Sequence, residues 1–260
     1  MSTEYETILY EKKGRVAVIT LNRPDSLNAI NVQMNADLKN SLKKAKEDSS
    51  VRAIVITGAG KAFCAGADVQ QFASGEFREK TSAGAPIIHP YDFYKLYKPI
   101  IAAVNGVAVG FGTNLTLNCD IIYASEKASF GEFFIRMGII PDMNGSFLLP
   151  KFIGVHKAKE LIFSGKRIFA DEAFKIGLVN QVFPHEELMP KTMEFANHLA
   201  DQAPIALALS KEAIHKAYEK TFDEMLTVEK EFNAKCYASE DHKEAAIAWV
   251  EKRKPVFTGK

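Results

Sequence analysis

Hydrophobic and polar positions along this chain alternate between short apolar runs and longer amphipathic stretches. The apolar runs that predict strands lie at 53–57, 100–104, 120–123 and 178–182. The first two are continuous enough in Ile, Val and Ala to be parallel strands buried on both faces. An antiparallel hairpin is predicted for 6–10 and 16–21, and an amphipathic helix for 31–47. Recurring strand, turn and helix units indicate an α/β core with right-handed crossovers.

The pattern changes in the C-terminal quarter of the chain, which is almost wholly helical from residue 185 onward. The helices predicted there cover 187–202, 205–220, 222–237 and 241–252. This change predicts a core of residues 1–200, which holds the ligand site, and a helical section of residues 201–260. Residues 73–98 follow neither pattern and carry Tyr91, Phe93 and Tyr94. A long segment with aromatic residues among polar ones is typical of a lid or a pocket wall.

Composition and charge restrict the function classes. The 260 residues are 47% hydrophobic with a formal net charge of +1, so one large core can form without a global attraction to nucleic acid or anionic membranes. The longest apolar runs are too short to span a bilayer, and the first six residues lack the basic and apolar regions of an export signal. Cys64, Cys119 and Cys236 show neither CxxC nor metal spacing and are expected to be reduced. We therefore expect a cytoplasmic protein.

Two glycine turns, each placed after an apolar run, suggest chemistry. They are 62–68 (AFCAGAD) and 105–112 (NGVAVGFG). Two buried strands that end in tight turns can direct two backbone N–H groups at one point, which is the arrangement of an oxyanion hole. The second turn also opens an apolar helical stretch from Thr113, whose N-terminal partial positive charge acts at the same point. The alternative is that these glycines only serve tight turns. No GxGxxG, GxSxG or HExxH motif is present.

Several spaced motifs together carry a family resemblance. They are 28–29 (NA), 61–68 (KAFCAGAD), 103–106 (AVNG), 119–122 (CDII), 177–179 (GLV) and 251–257 (EKRKPVF). In this order they resemble the crotonase family of enoyl-CoA hydratases and isomerases over essentially the whole chain. The resemblance implies a ββα spiral core with a C-terminal helical trimerisation section, and a homotrimer or dimer of trimers. It also implies acyl-CoA thioester substrates, with coenzyme A as part of the substrate and no other cofactor.

The resemblance also implies positions for the site residues. The oxyanion donors would be the backbone N–H groups of Ala67 and Phe111, where Phe111 replaces a glycine common at the second donor. The positions expected to contact the substrate are Ala29, Ala65, Asp68, Val69, Gly110, Asn114 and Phe134. The side chain of Asp68 is expected to hold its own loop as well. The candidates for the coenzyme A phosphates are Lys61, Lys252 and Arg253, the last two from a neighbouring subunit.

Departures from the family pattern bear on the reaction. The two glutamates that hold a water in hydratases of this family correspond to Asn114 and Phe134, neither of which can act as a carboxylate base. Hydration is therefore disfavoured. Asp142 remains, in 138–146 (GIIPDMNGS), a segment that resembles Δ3,Δ2-enoyl-CoA isomerases and ring-epoxide phenylacetyl-CoA isomerases. Isomerisation needs one base, and apolar neighbours should raise the pKa of Asp142. The alternative is that Asp142 caps a helix starting at Met143.

The prediction is an acyl-CoA isomerase that converts 3-enoyl-CoA to 2-enoyl-CoA, with Asp142, Ala67 and Phe111 as the catalytic groups. The alternatives are a hydratase with an atypical site, a ring-epoxide phenylacetyl-CoA isomerase, and a non-catalytic RNA-binding homologue. The last rests on the lysine stripe of the first long helix, formed by Lys39, Lys43, Lys44 and Lys46. Nucleic-acid binding and metal binding are not expected, since acids interrupt the stripe and the histidines are dispersed. Glu132 is a weaker second acid, which an extended backbone would place on the same face as Phe134.

Overall fold

A computed structural model describes residues 5–260, in which two β-sheets are surrounded by helices. The larger sheet has six strands in the order β1-β2-β3-β5-β7-β10. These strands are β1 (Ile8–Lys13), β2 (Val16–Leu21), β3 (Ala53–Gly58), β5 (Ile100–Val104), β7 (Ile121–Ser125) and β10 (Gln181–Phe183). The β1–β2 pair is antiparallel, whereas every later pair in this sheet is parallel. Parallel neighbours place their carboxyl ends at one edge, from which the loops of the site emerge.

The smaller sheet has four strands in the order β4-β6-β8-β9. They are β4 (Ala62–Cys64), β6 (Val107–Val109), β8 (Ser129–Gly131) and β9 (Arg167–Phe169). The pairs β4–β6 and β6–β8 are parallel, and β8–β9 is antiparallel. Both glycine turns predicted from the sequence therefore leave neighbouring strands of one small sheet.

Twelve α-helices lie in the described part of the chain. They are α1 (Val32–Glu47), α2 (Val69–Ala73), α3 (Glu76–Ser82), α4 (Pro90–Tyr94), α5 (Phe111–Leu117), α6 (Gly145–Ile153), α7 (Val155–Ser164), α8 (Ala170–Lys175), α9 (Leu188–Ala200), α10 (Pro204–Lys216), α11 (Phe222–Tyr237) and α12 (Glu240–Glu251). Asn31 caps α1 through a hydrogen bond from the Met34 N–H, and Thr221 and Glu224 form a capping box at α11. The predicted helical section after residue 200 is present.

The core lies on both faces of the large sheet. β5 is buried along its whole length and β3 along all but its last residue, which confirms the prediction of strands covered on both sides. The larger cluster packs one sheet face against α1, and the smaller one packs the other face against α9. These layers hold the strand ends, and hence the glycine turns, in fixed positions.

Three predicted strand boundaries were wrong. The first strand covers Ile8–Lys13 rather than 6–10, and β7 and β10 start later than expected. Before β7, the Asp120 carboxylate accepts the Ile100 N–H at 2.8 Å, and before β10 the Asn180 side chain accepts the Ile122 N–H at 2.8 Å. Polar side chains thus take over ladder bonds at the strand entrances, which a hydrophobicity pattern does not show.

None of the helices in residues 5–260 has the length and apolar character needed to cross a membrane. The expectation that the chain lacks an export signal rests partly on residues 1–4, which lie outside the described residues.

Candidate active site

The two glycine turns meet because glycines allow their backbones to touch. A Cβ on Gly112 would lie 2.0 Å from the Cys64 carbonyl oxygen, so any side chain there would separate the turns. Gly66 has a φ of +94°, and a Cβ on it would lie 3.0 Å from the Val109 carbonyl oxygen. The reading of these glycines as mere turn formers is therefore incomplete, since they also permit the close approach of two loops.

This approach places two backbone donors side by side. Within residues 5–260, neither the Ala67 N–H nor the Phe111 N–H donates to an acceptor of the protein. Phe111 is the first residue of α5, so its N–H has no intrahelical acceptor and carries the partial positive charge of the helix end. A Cβ on Gly66, the residue before Ala67, would lie 4.0 Å from the Phe111 nitrogen. Two donors on touching turns, both without an acceptor within residues 5–260, suit one oxyanion.

A cavity of about 1010 Å³ opens next to these donors, and both Ala67 and Phe111 line it. Aromatic side chains form part of its wall, among them Tyr91 and Tyr94 from residues 73–98 and Tyr218 just after α10. Residues 73–98 thus form a pocket wall, one of the two predicted possibilities. Phe93 is different, since it is 1% exposed and packs in the core. The proposed division at residue 200 stays a prediction, although the cavity draws on both sides of it.

Asp142 lies in the same cavity, between the 3₁₀ turn Phe133–Met137 and α6. It does not cap a helix: α6 starts at Gly145, its N-cap residue is Asn144, and no side chain caps it. The Asn114 amide donates to the Asp142 backbone carbonyl at 2.9 Å and fixes the segment. The side chain is exposed to the open cavity, but the surrounding protein desolvates it. This desolvation raises the pKa of Asp142 to about 6, although contact with the Asn114 amide opposes the rise.

Asn114 contacts the Asp142 segment, and Phe134 contacts the Gly110 turn. Asn114 is fully buried on α5, and its Oδ1 has no hydrogen-bond partner within residues 5–260. Phe134 is 6% exposed, and its ring lies 3.9 Å from where a Cβ of Gly110 would be. An aromatic ring therefore covers the turn of the second donor.

Asp68 and Ala29 belong to the support of the first turn. The Asp68 side chain accepts from the N–H groups of Gln70 and Gln71 at the start of α2, as expected for a residue that holds its own loop. Arg23 donates to the Asp68 carboxylate at 2.9 Å and to the Ala29 carbonyl at 2.6 Å. One guanidinium thus ties together the two segments that flank Ala67.

The cavity is lined neither by the predicted contact residues Ala29, Ala65, Asp68, Val69, Gly110, Asn114 and Phe134 nor by Lys61, Lys252 and Arg253. Lys61 and Lys252 are exposed. Arg253 forms ion pairs with Glu244 and Glu251, each at 2.6 Å, so its charge is already balanced within the chain. Their roles toward coenzyme A stay predictions.

Sequence reasoning missed a polar group in the cavity wall. Lys211 of α10 donates to the Asp120 carboxylate at 2.7 Å, and both residues line the cavity. Beside them the ring of His215 stacks on Tyr94 at 4.4 Å, and burial lowers the pKa of this histidine. In the sequence, Lys211 and His215 look like the polar face of an amphipathic helix, so no signal distinguished them.

The lysine stripe of α1 is largely engaged within the chain. Lys39 donates to the Ile87 carbonyl at 2.9 Å and lies 3.6 Å from the Asp92 carboxylate. Lys43 lies 3.9 Å from Glu47, and the Lys44 ammonium lies over the Tyr10 ring. These contacts tie the lysines to their own fold.

Glu132 is placed differently from the expectation. The backbone does not continue as a strand to Phe134, because the 3₁₀ turn begins directly after Glu132. Its side chain is buried, with 2% exposure, and does not line the cavity. Within residues 5–260 no cluster of three or more His, Cys, Asp or Glu side chains is suited to a metal ion.

Comparison with known proteins agrees with this geometry. Residues 11–260 match the family model described as enoyl-CoA hydratase/isomerase. The short-chain-enoyl-CoA hydratase of Clostridium acetobutylicum is 40% identical, with 96% of this chain and 97% of the relative covered. The 1,2-epoxyphenylacetyl-CoA isomerase of Escherichia coli K12 is 37% identical over 98% of this chain and 99% of its own. A crystal structure of an enoyl-CoA hydratase subunit from Geobacillus kaustophilus superposes with a TM-score of 0.90 at 40% identity, covering 99% of this chain and 100% of the other.

A mixed α/β fold with two converging glycine turns beside an acid-lined cavity is thus an enzyme of crotonase type. The chain belongs to the enoyl-CoA hydratase/isomerase family. Its fold is the crotonase fold, and a substrate of the acyl-CoA thioester class is expected for this family.

Proposed function

We propose that this protein is an acyl-CoA isomerase that converts 3-enoyl-CoA to 2-enoyl-CoA, with Asp142 as its base. The observation that carries the proposal is the position of Asp142 in the cavity that Ala67 and Phe111 also line. Its pKa, raised to about 6 by burial, leaves it ionised at neutral pH and more basic than an ordinary aspartate.

In the proposed reaction, the substrate thioester carbonyl accepts hydrogen bonds from the N–H groups of Ala67 and Phe111. The Asp142 carboxylate removes a proton from C2, and the electron pair passes through the carbonyl carbon to give a dienolate. The same carboxyl then returns its proton to C4, which leaves the double bond between C2 and C3. Each donor of this kind typically lowers the barrier by about 3–4 kcal/mol.

The surrounding side chains favour proton transfer over the addition of water. Phe134 is buried against the Gly110 turn, and Asn114 holds the Asp142 segment through its amide. An aromatic ring and an amide cannot activate water as two carboxylates would. The same machinery would open a ring epoxide beside a thioester, and the 37% identical relative named 1,2-epoxyphenylacetyl-CoA isomerase supports a ring substrate as a variant of the proposal.

Hydration is the second candidate, because relatives at 40% identity carry the name of hydratase. The two activities are separated by incubating the protein with 3-enoyl-CoA and 2-enoyl-CoA in separate reactions. We expect rapid conversion of the first to the conjugated thioester and little hydration of the second, both followed by chromatography of the CoA esters. Fast hydration of 2-enoyl-CoA without any shift of 3-enoyl-CoA would reject isomerisation as the main activity.

We further propose that the protein works as a homotrimer or a dimer of trimers in the cytoplasm, with Lys61, Lys252 and Arg253 near the coenzyme A phosphates. Large apolar side chains exposed on α11 and α12 support the assembly: Phe222 is 79%, Trp249 86% and Val250 80% exposed. Analytical ultracentrifugation should give three or six times the 28.8 kDa chain mass. A stable monomer at micromolar concentration would reject the assembly and the donation of Lys252 and Arg253 by a neighbour.

A further inference from the structure

Glu132 is a buried carboxyl group that the proposed mechanism does not use. It follows β8, opens the 3₁₀ turn and is 2% exposed. Within residues 5–260 neither of its carboxyl oxygens has a hydrogen-bond partner. A charged carboxylate in such surroundings is far less stable than the neutral acid. Glu132 is therefore expected to keep its proton at neutral pH.

The residues on either side of Glu132 hold the turn that carries the second oxyanion donor. On one side, the Gly110 N–H donates to the Gly131 carbonyl at 2.8 Å. On the other, the ring of Phe134 covers the same Gly110 at 3.9 Å from its Cβ position. A shift of residues 131–134 would therefore move the Gly110–Phe111 peptide, whose N–H is the donor.

The charged groups around Glu132 do not offer it a counter-ion. Arg136 and Arg167 lie over the neighbouring Phe133 ring, 4.3 and 5.8 Å from its centroid, and neither pairs with Glu132. Burial, together with the nearby Asp142 carboxylate, raises the pKa of Glu132 to about 8. Burial, together with the charge of Asp142, raises the pKa of the Cys64 thiol to about 12, so this thiol stays neutral between pH 7 and pH 9.

We propose that Glu132 is a positioning residue whose neutral form holds the Gly110–Phe111 turn in its working geometry. When Glu132 loses its proton, the unpartnered carboxylate moves toward water and takes residues 131–134 with it. The hydrogen bond from the Gly110 N–H to the Gly131 carbonyl and the contact between Phe134 and Gly110 then weaken. As a result, the Phe111 N–H, the second oxyanion donor, moves away from its working position. The inference rests on the proposed function for its effect on catalysis, but not for the movement itself.

The first test measures how kcat for 3-enoyl-CoA depends on pH in three proteins: the wild type, Glu132→Gln and Glu126→Gln. The last is a control, because Glu126 is an exposed acid on the turn before β8. In the wild type and the control, kcat should fall above pH 8 and be about tenfold lower at pH 9. The reason is that Glu132, with a pKa of about 8, is neutral in only about a tenth of the molecules at pH 9. In Glu132→Gln, kcat should stay constant between pH 8 and pH 9. Glu132→Met provides a second neutral variant with the same expectation, in case the amide disturbs folding. An unchanged alkaline loss in both neutral variants overturns the proposal.

The second test does not depend on activity. Hydrogen exchange of the peptide that contains Gly110, corrected for the intrinsic effect of pH, should become faster between pH 7 and pH 9 in the wild type but not in Glu132→Gln. Equal exchange in the two proteins would overturn the proposal. If the wild type fails to isomerise 3-enoyl-CoA but shows this difference, the proposed function fails while the role of Glu132 in the turn stands.

Discussion

Asp68 and Asp142 lie on two loops that border the same oxyanion turns, yet their surroundings differ. The Asp68 carboxylate accepts hydrogen bonds from Arg23 and from the N–H groups at the start of α2, so its charge is balanced within the fold. No cation within residues 5–260 acts on the Asp142 carboxyl, and desolvation by the surrounding protein raises its pKa to about 6. The partners of a carboxylate, rather than its residue type, therefore decide whether it holds a loop or can move protons.

Glu132 extends this comparison to a carboxyl that is 2% exposed and has no hydrogen-bond partner in the part of the chain that the structure describes. The three acids thus form a series. Asp68 is charged and paired, Asp142 faces an open cavity, and Glu132 stays protonated at neutral pH. Substituting each acid should therefore give a different combination of changes in activity and stability.

The largest effect is expected for Asp142→Asn. We expect a loss of roughly 10³-fold in kcat for 3-enoyl-CoA, because a general base contributes about 10²–10⁴-fold. The fold should be retained, since the carboxylate loses no counter-ion from among residues 5–260. Activity assays with circular dichroism check this, and Asp68→Asn serves as a matched change of acid to amide. Near-normal turnover by Asp142→Asn would remove the distinction between the two aspartates.

Wild-type kcat should also rise with pH through the pKa of Asp142 near 6, because only the ionised form accepts a proton. A steady-state pH profile between pH 4.5 and 7.5 checks the sign and position of this limb. A profile that is flat over this range would contradict the assignment of Asp142 as base.

A smaller effect, on stability, is expected for Glu132→Met. The folded state holds the proton of Glu132 up to about pH 8, whereas the unfolded chain loses it near 4.5, so wild-type stability falls as pH rises between these values. The variant lacks this fall and should be more stable by roughly 1–3 kcal/mol at pH 7. Urea unfolding at pH 4 and pH 7 measures the difference. An equal gain at both pH values would show improved packing instead.

Asp68→Ala should act in the opposite sense. Loss of a helix cap typically costs about 0.5–2 kcal/mol, and here Arg23 also loses its partner. We expect lower stability but a kcat within a few-fold of the wild type, measured by urea unfolding and by turnover at saturating substrate. A collapse of kcat without loss of stability would place Asp68 in the chemistry.

The smallest effect is expected for Lys61→Ala on the loop that precedes Asp68. An exposed ammonium near a phosphate contributes weakly and is screened by salt, so we expect KM to rise by about two- to fivefold at low ionic strength and less at high salt. Glu126→Lys, which changes charge at an exposed position away from this loop, provides a control. If KM changes neither on substitution of Lys61 nor with salt concentration, Lys61 does not contact the coenzyme A phosphates.

Much of the architecture follows from the sequence because hydrophobic runs report burial directly. The continuous runs that became β3 and β5, the amphipathic α1 and the helical C-terminal section were all predicted with small shifts. The glycine turns were also readable, since glycine in such a turn reports a backbone that no other residue fits. Family resemblance added the positions of Ala67, Phe111 and Asp142, whose roles stay predictions.

The elements, their order and the residue types available for chemistry can be read from the sequence, because they depend on local pattern. Folding brings Gly112 against Cys64 and places Lys211 and His215 in the cavity wall. It also buries Glu132 where no hydrogen-bond partner exists within residues 5–260. The physical reason is that the charge state of an acid depends on its distance to other charges and to water. Those distances join residues far apart in the chain, as Asn114 and Asp142 are, and a one-dimensional pattern does not contain them.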